Sequence, residues 1–110
     1  MDPTLISGTL ELMILEVLAN SPSYGYEITQ SVKIRSGERF LLKEGSLYPG
    51  LHRLERKKML ESFWQQVDGR KRKYYRITAL GQKELAQKRK TWSEFSAGIQ
   101  GILGANCGLA

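Results

Sequence analysis

The feature that most narrows what this chain can fold into is Asp68-Gly69, set between two β-prone runs, Leu60 to Val67 and Lys73 to Thr78. Asp-Gly between such runs is a strong signal for a hairpin turn, so the two runs should pair as antiparallel strands. Phe63 with Val67, and Tyr75 with Ile77, recur at period two and are expected to face the core together. Trp64 and Gln66 would then point the other way. The tip carries four consecutive cations, Arg70, Lys71, Arg72 and Lys73. A solvated turn needs no such cluster, so contact with phosphate is the better reading.

Ahead of the hairpin the pattern is helical. In Gly45 to Lys58, Leu47, Leu51 and Leu54 are spaced i, i+4, i+7 and define one apolar face. Tyr48, His52, Arg53 and Arg56 fall on the other faces. Ser46 is a natural N-cap, which would put Pro49 in the first turn, where its missing N–H is one the helix leaves unpaired anyway. The helix is therefore predicted to start near Ser46. An apolar underside, a basic upper side and an exposed N-terminus suit a DNA major groove. A solvated amphipathic helix fits the same pattern. If the groove reading holds, the contacts are Lys43, Ser46, Tyr48, Pro49, His52, Arg53 and Arg56, with His52 and Arg53 reaching base edges.

Residues 5 to 19 are too apolar all round for a surface helix with one stripe. Leu10, Ile14, Val17 and Leu18 can face the domain core; Ile6, Leu12 and Met13 then need a cover, and a second subunit is the economical one. Asn20-Ser21-Pro22-Ser23 breaks this helix, and a second runs from about Tyr24 to Ser36, with Ile28 and Val32 inward and Gly37 as its stop. Phe40-Leu41-Leu42 is apolar enough for a small edge strand. The order helix, helix, helix, hairpin is that of a winged helix-turn-helix, a mainly α fold with the hairpin as wing.

Thr78 caps the last helix, with Gly81 in its first turn. Leu85, Trp92, Phe95, Ile99 and Ile102 are separated by 7, 3, 4 and 3 residues, an a/d seam of coiled-coil type. A small domain already closed by three helices cannot bury that stripe. A homodimer accounts for it together with the surplus on the first helix, giving an interface of Ile6, Leu12, Met13, Leu85, Trp92, Phe95, Ile99 and Ile102. Gly98 and Gly101 each cost a helix interior about 1 kcal/mol relative to Ala; they either permit close backbone packing or mark fraying. The division is thus residues 1–78 for the DNA-binding domain, 79–104 for the dimerisation helix and 105–110 for a loose tail.

At 110 residues this is one domain, and 17 Lys+Arg against 11 Asp+Glu leave a net charge of +6. That balance favours a polyanionic partner without separating nucleic acid from an acidic membrane surface. No apolar run approaches the ~18 residues of a membrane span. The opening Met-Asp-Pro-Thr lacks the basic residues of a signal peptide, so a cytoplasmic location is expected. One Cys and one His cannot build a tetrahedral zinc site within the chain. With no nucleophile motif, phosphate-binding Gly loop or acidic cluster, neither a cofactor nor catalysis is expected.

Taken together the motifs resemble the PadR-type transcriptional regulators. The residues that carry the likeness are Ile14-Leu15-Glu16-Val17-Leu18, Tyr24-Gly25-Tyr26-Glu27-Ile28, Gly45-Ser46-Leu47-Tyr48-Pro49-Gly50-Leu51, Arg53-Leu54-Glu55, Lys73-Tyr74-Tyr75-Arg76-Ile77-Thr78 and Gly81. The length is similar to that of the short subgroup with one C-terminal helix. The resemblance implies a homodimeric repressor of nearby genes that binds double-stranded DNA and responds to small aromatic or hydrophobic effectors. It also implies contacts with operator DNA around Tyr48, and Tyr24 and Tyr26 near the backbone. Trp92 matches a position that lines a cavity between subunits in some short members; Leu12 and Phe95 would join it. Interface core is the competing role for Trp92. The competing function is a winged module whose basic face docks on an acidic protein.

Overall fold

The structure, a computed structural model, describes residues 2–108. Helix α1 (Pro3–Asn20) opens on Asp2, whose carboxylate accepts the Thr4 N–H at 2.8 Å, with Pro3 at the first helical position where no N–H is needed. A two-residue strand, β1 (Ser23–Tyr24), leads directly into α2 (Gly25–Arg35). Gly37, at φ 63°, ends that helix in the left-handed region. Then follow α3 (Glu44–Arg56), β2 (Leu60–Val67), β3 (Arg70–Ile77) and α4 (Ala79–Gly108). Three helices, a hairpin and a long last helix make the winged helix-turn-helix that the element order predicts.

Helix α1 is the hub, packing on α2, α3, α4 and β3. Its Leu10, Ile14, Leu15, Val17 and Leu18 meet Ile28 and Val32 of α2, Leu47, Leu51 and Leu54 of α3, and Leu60 and Tyr75 of the sheet in one buried cluster. This is why α1 is apolar on nearly every side: partners surround it within the chain. Leu12 and Met13 remain half-buried, as does Ile6.

Four expectations need correction. Phe40-Leu41-Leu42 forms no strand. The free edge of β3 is taken instead by β1, giving a three-stranded antiparallel sheet in the order β1-β3-β2, while Phe40 and Leu42 pack against the core as irregular chain. Ser46 is not the N-cap of α3. The Lys43 carbonyl accepts from both Ser46 (3.0 Å) and Leu47 (2.9 Å), so the helix begins at Glu44 and Pro49 lies inside it. Pro49 has no N–H for the Gly45 carbonyl, but Gly45 is exposed and water can serve that oxygen.

The third correction concerns the sheet faces. Asp68 (φ 51°) and Gly69 (φ 79°) make a two-residue turn with both residues left-handed, which pairs Val67 with Arg70 and fixes the whole register. Phe63 therefore stands opposite Tyr74, not Tyr75, and residues directly opposite share a face. Leu60, Ser62, Tyr75 and Ile77 face the core; Phe63 and Val67 lie on the far side. Trp64 and Gln66 share the core-side face, but beyond the end of the core, and Trp64 is 66% exposed.

The fourth concerns the last helix. Thr78 does cap it, its Oγ1 accepting the Gly81 N–H at 3.0 Å. Leu85, however, is buried in the chain's own core at 1% exposure and has no surface to offer a partner. It sits where α4 crosses α1, so the domain itself claims the first residue of the seam. The helix also continues through Gly108, past the expected tail boundary; residues 109–110 lie outside the described residues. Beyond the crossing α4 leaves the body, and the molecule measures 62 × 28 × 21 Å. Its radius of gyration, 16.1 Å, exceeds the ~13 Å of a compact domain this size.

Candidate nucleic-acid interface

The outward face of α3 is defined by what its inward face buries. Leu47, Gly50, Leu51 and Leu54 are inside, so Gly45, Pro49, His52 and Arg56, at i, i+4, i+7 and i+11, run along the opposite side. Lys43 and Ser46 are exposed at the start of the helix. The side chains of His52 and Arg56 take part in no hydrogen bond or ion pair among the described residues. Tyr48 lies at the flank, 38% exposed, with its ring against the start of α2. A Cβ at Gly25 would stand 2.5 Å from the Tyr48 hydroxyl, so the glycine is what allows α2 and α3 to approach.

Arg53 is placed differently from its neighbours. It is half-buried, and its Nε donates to Glu11 of α1 at 3.5 Å. Lys57 Nζ donates to the same carboxylate at 3.3 Å, and Lys88 Nζ of α4 lies 3.6 Å from it. Burial alone would raise the Glu11 carboxyl; the hydrogen bond from Lys57 and the surrounding cations outweigh that and hold it below its ordinary range. Glu16 is likewise held down, chiefly by a hydrogen bond from Arg89 of α4. The Glu16–Arg89 pair thus joins α1 to α4 a turn further along.

The wing divides its cations between two faces. Lys71 and Lys73 alternate onto the side of Trp64 and Gln66, Arg70 and Arg72 onto the side of Gln65 and Val67. Only Asp68-Gly69 forms the tip, so the four cations are strand residues rather than loop residues. Arg70 and Lys71 are exposed. Lys73 lies 5.5 Å from the centre of the Tyr75 ring.

On the outer sheet face Tyr24, Tyr74 and Phe63 stand in a row across the three strands. Tyr24 meets Tyr74 edge-on at 5.4 Å, and Phe63 stacks on Tyr74 at 5.6 Å. Arg72 covers the Tyr24 ring at 4.6 Å, and Arg76 covers Phe63 at 4.4 Å while its Nε donates to Glu61 at 2.7 Å. Tyr24 is therefore half-buried packing as well as a residue of the α2 start, whereas Tyr26 is 63% exposed.

Between them, α1 and the projecting part of α4 enclose an open groove of about 500 Å³, which Leu5, Leu12, Glu11, Lys88, Trp92 and Phe95 help to line. Trp92 and Phe95 are 6.1 Å apart and both exposed, as are Ile99 and Ile102. No helix among the described residues is long and apolar enough to cross a membrane.

Glu11 and Glu16, which tether α1 to its neighbours behind the interface, were not singled out by the sequence pattern. They are the only charges in the apolar run from Leu5 to Leu18. A carboxylate on a helix surrounded by core needs a cationic partner, and that signal could have found them. The aromatic row was hidden for another reason: Tyr24 joins it only once β1 is known to pair with β3.

Comparison with known proteins agrees with this architecture. Residues 14–87 match the model of the transcriptional regulator PadR-like family. The chain is 37% identical over 94 residues to a transcriptional regulator of Mycobacterium tuberculosis, covering 86% of this chain and 85% of that one. It is 43% identical over 91 residues to an uncharacterised protein of Lysinibacillus sphaericus, covering 82% and 84%. Among solved structures, a transcriptional regulator from Clostridium thermocellum superposes with a TM-score of 0.82 at 34% identity, covering 88% of this chain and 95% of that one. A PadR family regulator from Clostridium difficile gives 0.74 at 33%, covering 87% and 99%. With the match spanning the second half of α1, the recognition-type helix, the wing and the root of α4, the chain belongs to the PadR-like family of transcriptional regulators.

Proposed function

We propose that the chain is a sequence-specific DNA-binding repressor that works as a homodimer. The observation that carries this reading is the outward face of α3, where His52 and Arg56 are unengaged among the described residues, in a chain whose hairpin carries four further cations. Base edges fall to His52 and Arg56, with Tyr48, Pro49 and Ser46 close to the groove wall; Arg to guanine is the commonest specific pairing. Arg53, engaged by Glu11, is less free than His52 or Arg56 to read sequence. Lys43, Tyr24, Tyr26 and the wing residues Arg70, Lys71, Arg72 and Lys73 supply backbone contacts, which position without specifying.

Dimerisation uses the exposed stripe Trp92, Phe95, Ile99 and Ile102 of α4 together with Leu12, Met13 and Ile6 of α1, and it repeats α3 at one helical turn of DNA, roughly 34 Å. Leu12, Trp92 and Phe95 border the groove that a small aromatic or hydrophobic effector would enter. Such an effector shifts DNA binding only by as much as it prefers one dimer geometry over the other.

The test is selection of a duplex from a random pool followed by salt titration of its binding. A twofold-symmetric enriched sequence is expected, with Arg56→Ala losing ~1–3 kcal/mol at particular base pairs. Arg70→Ala or Lys71→Ala should weaken all duplexes alike and flatten the log–log salt slope by about 0.9 per lost phosphate contact. Binding to an acidic protein without enrichment of any duplex would instead support the docking-module reading.

A further inference from the structure

Glu11 is a single carboxylate on the central helix, its side chain 19% exposed, and it is shared by cations from two other helices. Arg53 Nε (3.5 Å) comes from the last turn of α3 and Lys57 Nζ (3.3 Å) from the residue that caps it; Lys88 Nζ (3.6 Å) comes from α4. The contacts span the two parts of the fold that a DNA-binding dimer must keep in register. One part is the helix offered to the groove, and the other is the root of the helix that carries the exposed apolar stripe. The neighbouring pair, Glu16–Arg89, ties α4 to α1 alone and does not reach α3.

We infer that Glu11 is a positioning residue which sets the angle between α3 and the projecting part of α4, and so the separation of the two α3 helices in the dimer. The inference rests on the DNA-binding reading above. Removing the carboxylate leaves the core intact and Glu16–Arg89 in place, so the fold survives. What is lost is the tie between the end of α3 and Lys88, leaving three cations in mutual repulsion around a neutral group. With α3 still seated by Leu47, Leu51 and Leu54, the projecting arm of α4 can then tilt against the body, and the dimer accommodates half-sites at separations that the native chain rejects.

The experiment compares the full-length chain with Glu11→Gln and Lys88→Gln on three duplexes. These are the two-half-site sequence enriched by the native chain, the same sequence with its spacer lengthened by two base pairs, and a single half-site. Two base pairs turn one half-site by about 70° relative to the other. For the native chain the bivalent gain, on the order of 10², should be lost on the lengthened duplex. Both variants should narrow that preference to about tenfold or less, while single half-site affinity stays within about twofold. A merely structural loss would lower affinity for all three duplexes in proportion and leave the preference unchanged.

A native preference retained in either variant, or a fall on the half-site in step with the full sequence, overturns the proposal. Lys88→Gln alters a partly exposed ammonium and carries the test alone if Glu11→Gln does not fold. If the native chain enriches no duplex with two half-sites, the DNA-binding reading has failed, an outcome distinct from either of these.

Discussion

Lys58 closes α3 with φ at 65°, a left-handed conformation that crowds any side-chain-bearing residue. The strain is tolerated because the turn is bonded on both sides: Met59 N–H reaches the Leu54 carbonyl at 3.0 Å, and the Thr78 hydroxyl donates to the Lys58 carbonyl at 2.6 Å. Replacing Lys58 with Gly removes the steric cost and adds chain entropy to the unfolded state. A net gain of about 0.5–1 kcal/mol is expected, read as a higher urea midpoint at unchanged slope. Gly81 is the opposite case. A Cβ there would collide with the Met59 carbonyl and the Ile77 side chain, both held by the same turn. Gly81→Ala should therefore cost about 1–3 kcal/mol in the same assay. Gly98→Ala, facing open space within the chain, should leave stability unchanged or raise it by up to about 1 kcal/mol.

At the scale of elements, the joint between α1 and α4 is electrostatic at its margin. Glu11 and Glu16 both have carboxyls below their ordinary value of 4.5, so the folded state binds their protons less readily than the unfolded chain does. Their contribution to stability is full above that value and disappears as pH falls through the lower folded values. Denaturation midpoints followed downward through the carboxylate range should fall more steeply for the native chain than for a Glu11→Gln, Glu16→Gln double variant, and the two curves should converge in acid. How legible each element was in the sequence has physical causes. The four helices, the hairpin turn and most core positions were readable because period and turn chemistry are local properties. Strand facing was not, since it depends on the residue at which pairing begins, and one step of register exchanges Phe63 for Ser62. The third strand was not legible either: two residues carry no periodicity, and Ser23–Tyr24 becomes a strand only by contact with β3. Likewise the apolar spacing that groups Leu85 with Trp92 says nothing about where one chain's core ends and a partner begins. On α3, the basic side was visible in the sequence, but the diversion of Arg53 to a carboxylate forty-two residues away was not.

For the whole molecule, the decisive surface is the stripe on α4, where Trp92, Phe95, Ile99 and Ile102 are all between 42% and 68% exposed. A row of that kind is expected to pair with its copy. Ile99→Glu should convert a dimer to monomer in sedimentation velocity without loss of far-UV helix signal, because the side chain touches no part of its own core. The same variant should retain weak, salt-sensitive binding to random duplex and lose the preference for two half-sites, since one α3 per particle remains. An unchanged sedimentation coefficient would locate the interface elsewhere.

The burial of Leu85 gives α4 a fulcrum. From that anchored residue to Gly108 the helix extends roughly 35 Å at the usual helical rise. A tilt of about 5° at such a pivot carries the far end some ~3 Å sideways, close to the ~3.4 Å rise of one base-paired step. A long rigid arm therefore magnifies sub-ångström adjustments at its root into whole-step changes in reach. If two such arms pair as proposed, a few side chains at the pivot would govern the size of the grip on DNA, far from any base they would help to select.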